Sequence, residues 1–142
     1  MTEPNRKNRE RTKPFMEHPT GQFATAVDAM ANAIQRLRLI PEWNSWITFC
    51  AQGAGQHENS YHLAEIRMRR ESINPGILID VDLVARAAQV EKSCIVRTDH
   101  LYELLGTTPL EVARIFDAIF RGHHGIRPHV DEGDDYAIGA EW

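Results

Sequence analysis

Three histidines and three aspartates crowd one stretch of this sequence: His123, His124 and His129, then Asp131, Asp134 and Asp135. These are the residue types with which a hydrolytic zinc or manganese centre fills its inner shell while leaving one position open for water. Their spacing argues against a centre. Adjacent histidines on a turn or extended segment point apart, no His-x-x-x-His sets two imidazoles on one helical face, and the acids lack the alternating order of a calcium loop. The favoured reading is a polar turn whose acids pair with arginines, with no metal or other cofactor. A small metal-dependent hydrolase built on residues 123–135 is the alternative.

Arg67, Arg69 and Arg70 form a second cluster, able to receive a phosphate or carboxylate. The expectation is that they offset the acidic C-terminal segment, within one subunit or across an interface. Nucleophilic catalysis has no sequence support: there is no Gly-x-Ser-x-Gly elbow, and Cys50 and Cys94 lie in apolar, strand-like surroundings that raise a thiol's pKa. Gly53-Ala54-Gly55 follows a strand, as a phosphate cradle would, but no helix opens behind it. His62 shares strand parity with Ala64 and Ile66, which suits a core-edge histidine better than a base.

A binding site needs less than a catalytic one. The residues predicted to line it are Trp46 as an apolar wall and His57, His62 and His123 as orienting polar groups, in a cleft between the 53–60 loop and the 123–135 segment. A small, partly apolar or cationic ligand fits that expectation, since the neighbouring acids disfavour anions.

The elements that would position these residues are legible from periodicity. Thr108, Pro109 and Glu111 supply an N-cap, a first-turn proline and the second half of a capping box. Val112, Ile115, Phe116, Ile119 and Phe120 then recur at helical spacing up to Gly122, predicting a helix over 109–121 that lies on a sheet. Phe23, Val27, Met30, Ile34 and Leu37 predict another over 20–39, stopped by Pro41. Residues 45–52 read as a nearly all-apolar strand covered on both faces, with Trp43 and Trp46 plugging the end of the core. Residues 61–71 alternate as its antiparallel partner. Asp80 is placed to cap a helix carrying Leu83, Val84, Ala87 and Ala88, and 93–97 reads as a short strand. Asp99 is placed to cap one or two helical turns through Leu105. Tyr136, Ile138, Ala140 and Trp142 share one face of a closing strand.

Composition bounds the function. The 142 residues are 42% hydrophobic and 25% charged, ordinary statistics for one globular domain. Residues 1–19 carry five bases and three acids, leaving eleven bases against seventeen acids in the remainder. A body of net charge −6 is a poor non-specific binder of nucleic acid. The first nineteen residues are too polar to fold and read as a disordered charged arm, with residues 20–142 as the domain. No apolar run is long enough to span a bilayer and no signal-peptide core is present, so the expected compartment is the cytoplasm.

The run from Glu111 to Arg121, followed by Gly125-Ile126-Arg127-Pro128 and by Asp131-Glu132-Gly133-Asp134-Asp135-Tyr136 through Glu141-Trp142, resembles small uncharacterised bacterial proteins encoded on mobile integron gene cassettes. The resemblance covers residues 43–142. It implies a compact α+β protein and a symmetric oligomer, with no assigned activity and no functional residues to carry over. The sequence thus predicts a single α+β domain, an antiparallel sheet with helices packed on it. It predicts a binding module, a homodimer more than an enzyme, for a small molecule or a protein partner, with a purely structural or interaction protein as a further alternative.

Overall fold

Thr108 begins the central helix as its residue types dictate: its hydroxyl accepts from the Glu111 N–H at 3.2 Å and the Glu111 carboxylate accepts from the Thr108 N–H at 2.9 Å. Each bond satisfies a donor that the helix start leaves without a partner. The structure, a computed structural model, describes residues 23, 25–41, 45–54, 61–128 and 135–142, with the backbone alone at 61 and 62. The predicted arm, Trp43 and the tip of the 53–60 loop lie outside the described residues.

Among the described residues, three α-helices, α1 (Ala26–Arg38), α2 (Val81–Ala88) and α3 (Pro109–Gly122), accompany six strands: β1 (Trp46–Ala54), β2 (Tyr61–Arg69), β3 (Ser72–Asn74), β4 (Ile95–Thr98), β5 (Leu101–Leu104) and β6 (Ala137–Glu141). The strands form one sheet in the order β4-β5-β3-β2-β1-β6, every pairing antiparallel. The fold is α+β, as the sequence predicts.

Strand alternation decides which face is covered. Ile47, Phe49 and Ala51 of β1, Ala64, Ile66 and Met68 of β2, Ile73, Ile95, Tyr102, Leu104, Ile138 and Ala140 are all buried. They face the helices, whose own buried stripes are Ala26, Ala29, Met30, Ala33, Ile34 and Leu37 on α1 and Val112, Ala113, Ile115, Phe116, Ile119 and Phe120 on α3. α3 packs against both α1 and α2. Its Phe116 meets Phe49 edge-on at 5.0 Å between centroids, and its Phe120 meets Tyr136 edge-on at 6.2 Å, a geometry that sets ring edges against ring faces. Arg38, at the end of α1, donates to the Thr107 carbonyl at 2.7 Å and to Glu71 at 2.8 Å. It thereby latches the β2–β3 turn to Thr107, the residue before the α3 cap, Thr108.

Several expectations change. β1 is not covered on both faces: Thr48, Cys50 and Gln52, on the side away from the helices, are only half-buried. The strand predicted over 61–71 ends at Arg69, because Arg70 takes a positive φ of 52° and turns the chain into β3. The helical turns predicted after Asp99 are β5. Asp99, at φ 60°, makes the β4–β5 turn with His100, and alternation of buried Tyr102 and Leu104 with exposed Glu103 is strand-like. α1 starts later than predicted, at Thr25, whose hydroxyl accepts from the Asp28 N–H at 3.0 Å. α3 runs one residue beyond its predicted end, through Gly122, and closes on His123, and the positive φ that follows is at Gly125.

Replacing Phe116 with alanine removes the ring that joins the two layers and should lower the unfolding free energy by about 3–5 kcal/mol. Leu39→Ala, at a side chain 78% exposed, should change it by no more than about 0.5 kcal/mol. Urea unfolding of the two variants beside the wild type checks the contrast; equal losses would place the core elsewhere.

Candidate binding groove on the open sheet face

Because antiparallel partners point to the same side, the face without helices can be read from the register. Trp46 stands beside Arg69, Thr48 beside Arg67, Cys50 beside Glu65 and Gln52 beside Leu63; on the far side of β2, Arg67 stands beside Asn74 and Arg69 beside Ser72. Trp46 does not plug the core. Its indole lies on this open face, 39% exposed, and the Arg67 guanidinium stacks over it at 3.8 Å from the ring centroid. Planar, weakly hydrated guanidinium suits that stack and keeps its N–H edges free for other partners.

The short strand β3 then makes a depression. Ser72 and Asn74 form a low floor between the taller Trp46, Arg67 and Arg69 on one side and His100 and Leu101 on the other, enclosing a groove of about 450 Å³. A second hollow of about 240 Å³, flanked by Arg97 and Leu78, adjoins it at Asn74 and His100. Four neighbouring strands set the groove's width, about 14 Å at the usual inter-strand spacing. Asn74 accepts from the Gly76 N–H at 3.1 Å, and His100 Nδ1 lies 3.3 Å from the Asp99 carboxylate.

Two of the predicted site residues, Trp46 and His62, lie far apart along the sheet. Trp46 begins β1, whereas the backbone of His62 pairs with Gly53, seven residues farther along that strand, a separation of about 23 Å. His123 caps α3, its Nε2 accepting from the Asp80 N–H at 3.4 Å, and so ties α2 to α3. His57 lies outside the described residues. The two loops expected to form the cleft do start at one end of the sheet: Ala54 and Arg127 exchange backbone hydrogen bonds of 2.8 and 3.3 Å. That pairing accounts for Gly53, where a Cβ would run into the Arg127 carbonyl oxygen. The glycine admits a neighbouring backbone, not a phosphate.

Asp135, the one acid of the C-terminal acidic segment among the described residues, pairs with Arg121, and Asp131, Glu132 and Asp134 lie outside them. Asp135 accepts from Arg121 at 2.8 Å and from the Ala26 N–H at 2.8 Å, while Asp117 accepts from Arg121 at 3.0 Å and from the Tyr136 hydroxyl at 2.6 Å. Arg67 has no carboxylate partner among the described residues, and Arg70 donates to the Pro41 carbonyl at 2.8 Å. No group of three or more His, Cys, Asp or Glu side chains among the described residues is disposed to hold a metal; His129, Asp131 and Asp134 lie outside them. Burial, reinforced by Glu65 and Glu141, pushes the Cys50 thiol up to about 11, leaving little thiolate for nucleophilic attack at neutral pH.

The sequence marks Trp46 and the strand arginines separately and gives no hold on His100 or Ser72. The tight turn after Arg69 is what brings them together, and Arg70 does not announce a positive φ. No match to this chain emerges among protein families, curated proteins or solved structures. No helix among the described residues is long and apolar enough to cross a membrane.

Tyr136 gives a pH test of the buried network. Burial, then the Asp117 charge and hydrogen bond, raise its hydroxyl well above its ordinary value of 10.0. A raised folded-state value means that the folded protein holds the proton longer than the unfolded chain. The associated stability is complete below about pH 10 and declines above it, by up to about 1.4 kcal/mol per pH unit. Tyr136→Phe should be less stable at neutral pH by about 1–3 kcal/mol yet show a shallower alkaline decline. Urea titrations of both proteins between about pH 9 and pH 11.5 measure it, and equal slopes would refute the assignment.

Proposed function

We propose that this protein is a binding module, not an enzyme, and that it takes a small, partly apolar ligand in the groove at the Trp46 end of the open sheet face. One observation carries the reading: a half-exposed indole, held flat by a stacked guanidinium, forms one wall of a 450 Å³ groove whose floor is Ser72 and Asn74. Binding sites of this size combine apolar walls with a few polar groups that set orientation.

A thermal-shift screen of planar aromatic compounds tests the reading. A ligand at ten times its Kd stabilises the fold by about 1.4 kcal/mol, which raises Tm by a few degrees in a domain of this size, about 2–4 °C per kcal/mol. Trp46→Ala should abolish those shifts without lowering the unliganded Tm by more than about 2 °C. A response to zinc or manganese alone would favour the hydrolase.

A second reading, self-association, is favoured by the other end of the same face. Leu63 is 48% exposed there, beside the half-buried Gln52 of β1, an apolar side chain suited to an isologous contact between two copies. If it forms, Leu63→Glu should turn a dimer into a monomer in light-scattering chromatography while the melting curve keeps its cooperativity. An unchanged mass would remove Leu63 from the interface.

A further inference from the structure

The body of this protein is acidic, yet the walls of the groove are not. Among the described residues that line it, the ionisable side chains are Arg67, Arg69 and His100, and none is a carboxylate. The nearest acids are Asp99, which pairs with His100, and Glu103 of β5, which stands beside Ser72, whereas Glu71 is held by Arg38, and Asp117 and Asp135 by Arg121. Glu65 stands beside Cys50, farther along β1, and Glu141 stands beside Thr48, across β1 from Arg67. Arg67 in particular has its charge beside the groove, its flat face on Trp46 at 3.8 Å and no carboxylate among the described residues to neutralise it. A cation–π contact engages the face of a guanidinium and leaves its in-plane N–H groups pointing outward, the arrangement that meets a carboxylate or phosphate with two parallel hydrogen bonds. Holding that plane against an indole also removes rotamer freedom that binding would otherwise have to remove.

We propose that the ligand of this groove is a planar organic anion, an aromatic or heteroaromatic carboxylate or phosphate ester. Its charged group meets Arg67 and Arg69 and its ring lies along the Trp46–Arg67 wall. Ser72 and Asn74 on the floor supply hydrogen bonds to ring substituents. This rests on the binding-module reading and replaces the cationic preference expected from overall charge. No carboxylate is among the described residues lining the groove, and screening in water weakens the influence of acids beyond about 8 Å at physiological salt.

Isothermal titration with three matched probes separates the two levels of the argument: naphthalene-2-carboxylate, 2-naphthamide and 2-naphthylmethylammonium. The carboxylate should bind about tenfold or more tighter than the amide, as hydrogen bonds to a charged partner predict, and the ammonium more weakly than either. In Arg67→Gln the carboxylate-to-amide ratio should collapse below about threefold, and Arg67→Lys, which keeps the charge but loses the fork, should fall between. Melting curves of both variants establish that they fold. Equal affinities for carboxylate and amide, or tightest binding of the ammonium, would overturn the anion proposal while leaving the groove a binding site. Absence of binding by all three would remove both. A short oligothymidylate binding more tightly than the carboxylate would likewise overturn the small-anion proposal and redirect the face to single-stranded nucleic acid.

Discussion

Phe116 is the contact on which the two layers depend. It stands at the middle of α3, reaches down to Phe49 in β1 and is followed one turn later by Phe120, which reaches Tyr136 beside β6. A sheet of alternating residues has one apolar face to bury, and three helices of modest length suffice to cover it. Nothing apolar enough remains among the described residues to cover the second face. The one-sided arrangement leaves Trp46, Arg67 and Arg69 in contact with water, and makes a groove wherever short side chains interrupt taller ones.

Where a local signal and burial agree, the sequence announces the structure. Thr108, Pro109 and Glu111 mark the start of α3, Asp80 marks the start of α2, and the stripe from Val112 to Phe120 is the stripe that packs. The antiparallel pairing of β1 with β2, and the alternation of Ile138 and Ala140 in β6, are equally plain. Legibility fails where backbone conformation is carried by residues with no strong preference for it. Arg70 and Asp99 both adopt positive φ, a conformation that costs an L-residue roughly 1–3 kcal/mol, and the hairpins they close repay that cost only in the folded sheet. Without those two turns, β3 is invisible and β5 looks like a helical turn.

The groove was half legible for a related reason. Trp46 and the arginines were visible as residue types, but an aromatic ring at a strand end reads as core unless the parity of β1 is known, and parity depends on which face the helices choose. Trp46 and Phe49 are three residues apart and therefore point to opposite sides. The histidines were misleading because the residue type promises chemistry wherever it occurs. His123 serves instead as an acceptor for the backbone at the start of α2, while the groove uses His100, a turn residue outside the apparent cluster.

The bond from the Ala26 N–H to Asp135 joins residues separated by 109 positions in the chain. It completes the first turn of α1 with a carboxylate carried just ahead of β6, and Arg36 of α1 also lies over the Trp142 ring at 5.5 Å. This helix is thus finished by a segment synthesised 109 residues after it. Until β6 arrives, the apolar stripe of α1 lacks part of its cover, and contacts this distant in sequence are slow to form. The nascent protein must therefore pass through an interval in which α1 is available to other chains or to a chaperone.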